Sequence, residues 1–351
     1  MLDSIQSLLN ALPEGVIRVC DGLVLSINEK GRQYLPQLTP GSSLPEGILL
    51  PGQGGAASGV FTAGSVSYLY SCTCQAGEAG HVILFHPDPQ PGLKSWQLDG
   101  ALGELRLLLG DILTEVGPAT VPGGTVSAAA FGKTFHRLFR LVNNLEFVQQ
   151  TAGEGVPFRP VTMDLDGLCR HTIQPAGDLL QEAGISLEYR SKVSGLLIPG
   201  DPELLQKLLL SLISNAAQAA GEKGGVVLSL RRQGRNAVLS LSNSGTAPTQ
   251  RQLSAFFQEG PREDVPLPGQ GAGLGIPIVR HILNLHRGSM IVLPGDELAF
   301  SVVLSLPTGP LYRRLPLHTP SAVQRDAGLN PVLVELSGVL PDYLFGMEGL
   351  D

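Results

Sequence analysis

Residues 269–288 read GQGAGLGIPIVRHILNLHRG, with four glycines among the first seven residues and an apolar run behind them. Glycine at that density leaves backbone N–H groups open to a ligand, and the apolar run predicts a helix whose N-terminus adds partial positive charge. Together these make a place for phosphate. A dinucleotide fingerprint needs G-x-G-x-x-G, but counted from Gly271 the sixth position is Ile276, so that motif fails. A Walker A loop needs G-x-x-x-x-G-K-[ST]. The nearest stretch, SAAAFGKT at 127–134, has Ser127 at the first glycine and no strand before it, and it reads as a helix start.

The 351 residues allow two or three domains, and 43% hydrophobic against 16% charged residues supports sizeable cores rather than a disordered chain. A net charge of −7, with no basic patch interleaved with aromatics, argues against nucleic acid as a partner. Cys20, Cys72, Cys74 and Cys169 fit no metal or redox spacing. Cys72 and Cys74 fall on one face of a strand and read as small core residues in a reducing compartment. The start, MLDSIQSLLNALPEG, lacks the basic region and long apolar run of a signal peptide. No run of about 18 apolar residues offers a membrane span, so a cytoplasmic protein with no membrane contact is expected.

Residues 1–88 read as a small α+β unit. LLNALPEGVIRV predicts a short helix leading into a strand, VSYLYSCTC alternates, and GHVILFH completes a hairpin after QAGEAG. PDPQPG then marks a break. In residues 93–152 the period changes: Leu98, Leu102, Leu105, Leu109 and Ile112 are spaced four, three, four and three apart. Phe131, Phe135, Leu138, Val142 and Leu145 repeat that spacing beyond VGPATVPGG. Two such helices make an αα-hairpin, and two hairpins make a four-helix bundle, so a homodimer through 93–152 is expected, with packing on the chain's own domains the alternative.

Residues 160–307 alternate helices with strands. DPELLQKLLLSLISNAAQAA is a strong helix that Asp201 can cap, with Pro202 suited to its first turn. GVVLSLRRQGRNAVLSLSNSG is a hairpin, and MIVL and FSVVLSLP are strands after the glycine-led helix. Residues 308–351 are a tail that begins Pro/Arg-rich and contains NPVLVELSGVLPDYLFG, to which no chemistry is assigned. The fold class is therefore α/β and multidomain.

The stretch GAGLGIPIVRHILNLHRGSMIV resembles the second glycine box of the histidine-kinase/Hsp90-type (GHKL) ATPases, G-x-G-L-G-L-x-I-V with HGG further on. Gly271, Gly273, Leu274, Gly275, Ile278 and Val279 stand in the matching places, and HRG closes the helix. Upstream, LLLSLISNAAQAA resembles the family's N box, with Asn215 in the place of the asparagine that ligates Mg²⁺ between the nucleotide phosphates; a neutral oxygen suits that ion. SNSGTAP sits where D-x-G-x-G belongs: Gly245 matches, and Asn243 replaces the aspartate that accepts the adenine amino proton, a bond an amide oxygen can also accept. LSAFF resembles the Phe-containing box, and 261–270 is the expected lid. The resemblance implies an α/β-sandwich that binds ATP and Mg²⁺. It departs at Gln218, where the N-box lysine would touch phosphate, at Ser211 for the first asparagine, and at Ala247 for the second glycine of the first box.

If 160–307 is the catalytic domain of a sensor histidine kinase, the hairpin resembles its dimerisation and phosphotransfer domain, and 1–88 a PAS sensor. The family's phosphoacceptor motif, H-E-L-R-T-P-L, aligns with GELRLLL at 103–109: Glu104, in the place of the general base, Leu105, Arg106 and Leu109 match, but Gly103 holds the histidine's place. Glycine costs about 1 kcal/mol against alanine inside a helix and has no side chain to phosphorylate. His136, on the second hairpin helix, and His171 are the substitute histidines to consider, and each reads as a solvated helix residue; His281 and His286 belong to the ATP-domain helix. The leading reading is a dimeric ATP–Mg²⁺-binding signalling protein that has lost autophosphorylation and docks a response regulator or partner kinase. The alternatives are an active histidine kinase using an acceptor such as His136, and a nucleotide-independent dimeric scaffold.

Overall fold

The computed structural model describes residues 9–10, 12–45, 47–48, 50, 56–74, 80–87, 95–116, 127–152, 155–245, 273–294, 300–310 and 329–346. Five N-terminal strands, β1 (Gly15–Cys20), β2 (Leu23–Ile27), β3 (Ala56–Ala63), β4 (Val66–Cys74) and β5 (Gly80–Pro87), form an antiparallel sheet in the order β2-β1-β5-β4-β3. Helix α1 (Glu29–Tyr34) packs on it. Buried Asn28 anchors that helix: its Oδ1 accepts from the N–H groups of Gly31 and Val16, both at 2.8 Å, and its Nδ2 donates to the carbonyls of Leu9 and Glu14. Every polar atom of the amide is satisfied, which is what its burial requires. Tyr34, Phe61, Tyr68, Tyr70 and Phe85 form the core here, neighbouring ring centroids standing 5.2–6.1 Å apart. Cys72 and Cys74 are buried on the same strand as expected, whereas Val66 is exposed.

Helices α2 (Ser95–Val116) and α3 (Ala128–Ala152) form the hairpin. The ATP-box region follows with α4 (Leu165–Glu182), α5 (Pro202–Ala220) and α6 (Gly275–Leu285). Its strands are β7 (Ser186–Ser191), β9 (Gly225–Gln233), β10 (Asn236–Asn243), β11 (Ser289–Pro294) and β12 (Phe300–Pro307), ordered β11-β12-β10-β9-β7. β7 runs parallel to β9, and the other neighbours run antiparallel. β6 (Val161–Asp164) and β8 (Leu197–Gly200) pair separately. Two short elements end the described chain, α7 (Pro331–Leu336) and a 3₁₀ turn at Asp342–Phe345.

The two sheets are continuous. β3 pairs antiparallel with β11, Gly59 opposite Ile291 and Val60 opposite Met290, giving one ten-stranded sheet from regions that the sequence separates by more than 200 residues. Gly59 is required at this junction, because a Cβ there would collide with the Met290 carbonyl oxygen and the Tyr70 ring. Leu69 of β4 joins the larger apolar cluster, which also holds Ala101, Leu108, Leu141 and Phe147 of the hairpin and Leu212, Ile278 and Val279 of the ATP-box helices.

Leu105 of the expected seam turns toward that cluster, but Leu98, Leu102 and Leu109, with Leu113, stay exposed on α2, as do Phe135 and Val142 on α3. Their exposures of 40–72% leave an apolar stripe at heptad-like spacing without a cover among the described residues. Among the described residues no helix is long and apolar enough to cross a membrane.

Gly59→Val is expected to detach β3 from β11 while both halves stay folded. Amide hydrogen exchange reads this as loss of protection at the amides of β3 and β11 that bond across the junction, with those of β11 that bond β12, and with β9 and β10, unchanged; full protection across the junction in the variant would contradict it.

Candidate functional site

Asp201 begins α5. Its Oδ1 accepts from the N–H groups of Glu203 and Leu204 at 3.2 and 3.3 Å, and Pro202 occupies the first turn, where its missing N–H costs nothing. Its Oδ2 accepts from the Arg159 N–H at 2.8 Å, and its own N–H donates to Nε2 of His286 at 2.9 Å, just past the end of α6. The Nδ1–H of His286 donates to the Ile282 carbonyl at 2.7 Å, so the ring is the neutral tautomer with Nε2 as acceptor. Burial holds its pKa below the usual value, and burial lowers that of His281 as well.

With α5 fixed, its apolar face sinks into the core and Asn215 and Gln218, one turn apart, reach its edge. Gly275, the first residue of α6, packs against this edge: a Cβ there would lie 3.1 Å from Nδ2 of Asn215 and 3.3 Å from Oγ of Ser211. Gly273 has φ +69°, a left-handed conformation that glycine adopts without strain. The N-terminus of α6 has no side-chain cap, whereas Asn28, Asp164, Asp201 and Asn330 cap α1, α4, α5 and α7. Its first N–H groups are thus left for a ligand or water.

These groups line an open, largely solvent-filled cleft. One wall is Ser214, Asn215 and Gln218 of α5 with Gly273, Leu274 and Gly275. The other is Glu104 of α2 with Arg137, Arg140, Leu141 and Asn144 of α3. Gly338 and Val339, after α7, complete it.

Of the residues singled out in the sequence, Glu104, Asn215, Gln218, Gly273, Leu274 and Gly275 thus share one cleft. Asn243 and Gly245 lie at the end of β10: Asn243 is 1% exposed and donates to the Ser244 carbonyl, and Gly245, at φ +128°, abuts the Ala219 carbonyl. Gly271, Ala247, LSAFF and the expected lid at 261–270 lie outside the described residues. Gly103 sits beside Glu104 with nothing within 4 Å of where a Cβ would be.

His136 is corrected. Expected as a solvated helix residue, it is buried, with Nδ1 2.8 Å from the Gly132 carbonyl and its ring edge-on to Phe345, centroids 5.0 Å apart. The tail, to which no chemistry was assigned, covers it. Arg137, Arg140 and Asn144 were missed, although their three- and four-residue spacing would have marked one polar stripe on α3.

Residues 200–309 match the family described as histidine kinase-, DNA gyrase B-, and HSP90-like ATPase. This segment belongs to that family. The chain is similar to the sensor histidine kinase ZraS of Escherichia coli K12, 28% identical over 181 residues, covering 51% of this chain and 37% of the relative. It is likewise similar to ZraS of Klebsiella oxytoca, 29% identical over 146 residues, 41% of this chain and 31% of that one. The chain therefore spans about a third of the length of these curated relatives. Among solved structures, histidine kinase ThkA in complex with response regulator protein TrrA aligns at 15% identity and TM-score 0.47, covering 87% of this chain and 98% of that one.

The His286 link gives the ATPase domain a pH dependence of known sign. With the folded-state pKa below the unfolded value, the link is fully present above about pH 6.5 and is lost as pH falls below it, because the unfolded state takes up the proton first. The stability difference between the parent chain and His286→Leu, measured by chemical denaturation, should shrink from pH 7.5 toward pH 5.5; a difference independent of pH would contradict it.

Proposed function

We propose that the chain is a dimeric signalling protein of the sensor-histidine-kinase type that binds ATP–Mg²⁺ in the cleft between α5, α6 and the hairpin, and that it has lost autophosphorylation. The observation that carries this reading is one juxtaposition: the Asn215 and Gly273–Gly275 wall faces Glu104, yet the residue beside Glu104 is Gly103.

The donor set fits the ligand that the ATPase family implies. The uncapped start of α6 offers N–H groups to phosphate, and Gly273 and Gly275 let the backbone approach it. Asn215 would supply a neutral oxygen to Mg²⁺, with Gln218 and Glu104 bordering the same space. When bound, that ion neutralises charge on the phosphates. Asn243, buried at the end of β10, is the candidate for the adenine contact.

In an acceptor-bearing hairpin, an imidazole at position 103 would stand beside Glu104, in the place of its base. Glycine leaves the base and removes the nucleophile. His136 gives no support to a displaced acceptor, because its ring packs under Phe345 and does not border the cleft. The protein then signals by conformation: ATP–Mg²⁺ sets how the hairpin and ATPase domain sit together, and a response regulator or partner kinase reads that arrangement. A second copy of the chain would cover the exposed stripe of Leu98, Leu102, Leu109 and Leu113 in a four-helix bundle. The N-terminal sheet, a PAS-like sensor in this reading, reaches the ATPase domain through β3 and β11.

Phosphate transfer from γ-labelled ATP–Mg²⁺ tests this directly. The parent chain should bind nucleotide and take up no acid-labile, alkali-stable label. Gly103→His, which has open space for its side chain, should take up such label. Label on the parent chain that disappears with His136→Ala would overturn the reading.

A further inference from the structure

Residues 330–346 are built into the molecule as firmly as any core element. Asn330 caps α7 by accepting from the Val332 N–H at 2.9 Å, and Val332, Leu336, Leu340 and Phe345 are all buried. This segment bridges two parts of the protein. On the hairpin, Glu335 accepts from Nε of Arg140 at 3.1 Å and Asp342 from Nζ of Lys133 at 2.8 Å. The Phe345 backbone comes so close to Gly132 that a Cβ there would collide with it. On the ATPase domain, Glu335 meets Nζ of Lys207 at 3.4 Å, the Ser214 hydroxyl donates to the Glu335 carbonyl at 2.9 Å, and the Tyr343 hydroxyl donates to the Glu182 carboxylate at 2.9 Å.

The same segment reaches the cleft. Gly338 and Val339 line it beside Asn215 and Gly273, and the Gly338 side-chain position lies 3.5 Å from Nη1 of Arg140. Arg140 is therefore a wall of the cleft and, at the same time, the partner of Glu335, whose side chain is 8% exposed. A polyphosphate entering here needs cations, and the N-box lysine that would supply one is Gln218 in this chain. Arg137 and Arg140 are the guanidinium groups at hand, and Arg140 is already engaged by a carboxylate. Phosphate and Glu335 carry the same sign of charge and compete for the same guanidinium.

We propose that residues 330–346 are an autoinhibitory clasp on the nucleotide cleft, with Arg140 as the cation that the clasp and the nucleotide phosphates share. With Glu335 on Arg140 and Lys207, the segment pins α3 to α5 and narrows the cleft with Gly338 and Val339. ATP–Mg²⁺ binding draws Arg140 to phosphate and loosens the clasp; by the reciprocity of linkage, loosening the clasp tightens nucleotide. This proposal rests on the nucleotide reading of the cleft.

The full chain, titrated calorimetrically with AMPPNP–Mg²⁺ and followed by amide hydrogen exchange, tests it. Glu335→Gln keeps the shape of the segment and removes its charge, and should bind nucleotide about tenfold more tightly. Phe345→Ala releases the far anchor without touching the cleft and should shift affinity the same way, which covers the case in which one variant fails to fold. In the parent chain, protection at residues 332–340 should fall at saturating nucleotide. Parent-like affinity in both variants, or undiminished protection at saturation, would overturn the clasp while leaving the nucleotide site intact. No binding by the parent chain or either variant would overturn the nucleotide reading, and the clasp with it.

Discussion

The carboxylate of Asp201 accepts backbone hydrogens from Glu203, Leu204 and Arg159, and its own N–H donates to His286, so one residue fixes where α5 starts and where α6 ends. Those helices carry the two halves of the candidate site. Asn215 lies almost four turns along α5, and Gly275 opens α6 beside it, so the meeting of Asn215 with Gly275 is set from the far ends of both helices. Removing a cap of this kind costs about 0.5–2 kcal/mol of stability. Here the same residue also aligns the second helix, and the geometry of the cleft depends on it.

The second constraint is the division of roles along the hairpin. Its inner face shares one apolar cluster with the ATPase domain, so Glu104, Arg137 and Arg140 are presented to the Asn215 wall. Its outer face keeps a leucine stripe free for another helix pair. On the proposed function, the hairpin would report the state of the cleft to whatever covers the stripe, without a covalent phosphate. On that same reading, the glycine at position 103 would remove the chemical role of the hairpin and leave the mechanical one.

Local patterns were legible in the sequence. The cap and proline at Asp201–Pro202, the hairpin of β9 and β10, and the glycine-led start of α6 each follow from residues a few positions apart. The order of the boxes was enough to bring Asn215, Gln218, Gly273, Leu274 and Gly275 to one cleft. What escaped was long-range. The β3–β11 pairing depends on Gly59 and Ile291, and nothing in either strand names the other. Glu335 and Arg140 stand 195 positions apart, and their attraction is visible only once the tail is folded back. His136 was misread for the same reason: its helix pattern says solvent, and the cover comes from Phe345.

The most direct measurement is a calorimetric titration of the purified full chain with ATP in the presence and absence of Mg²⁺, repeated with Asn215→Ala. Saturable one-to-one binding that is strengthened by Mg²⁺, and weakened at least tenfold by the loss of the Asn215 amide, is the result expected if this cleft holds the nucleotide. Binding that is absent, or indifferent to both Mg²⁺ and Asn215, would contradict it and leave the ATPase fold as packing for the hairpin alone.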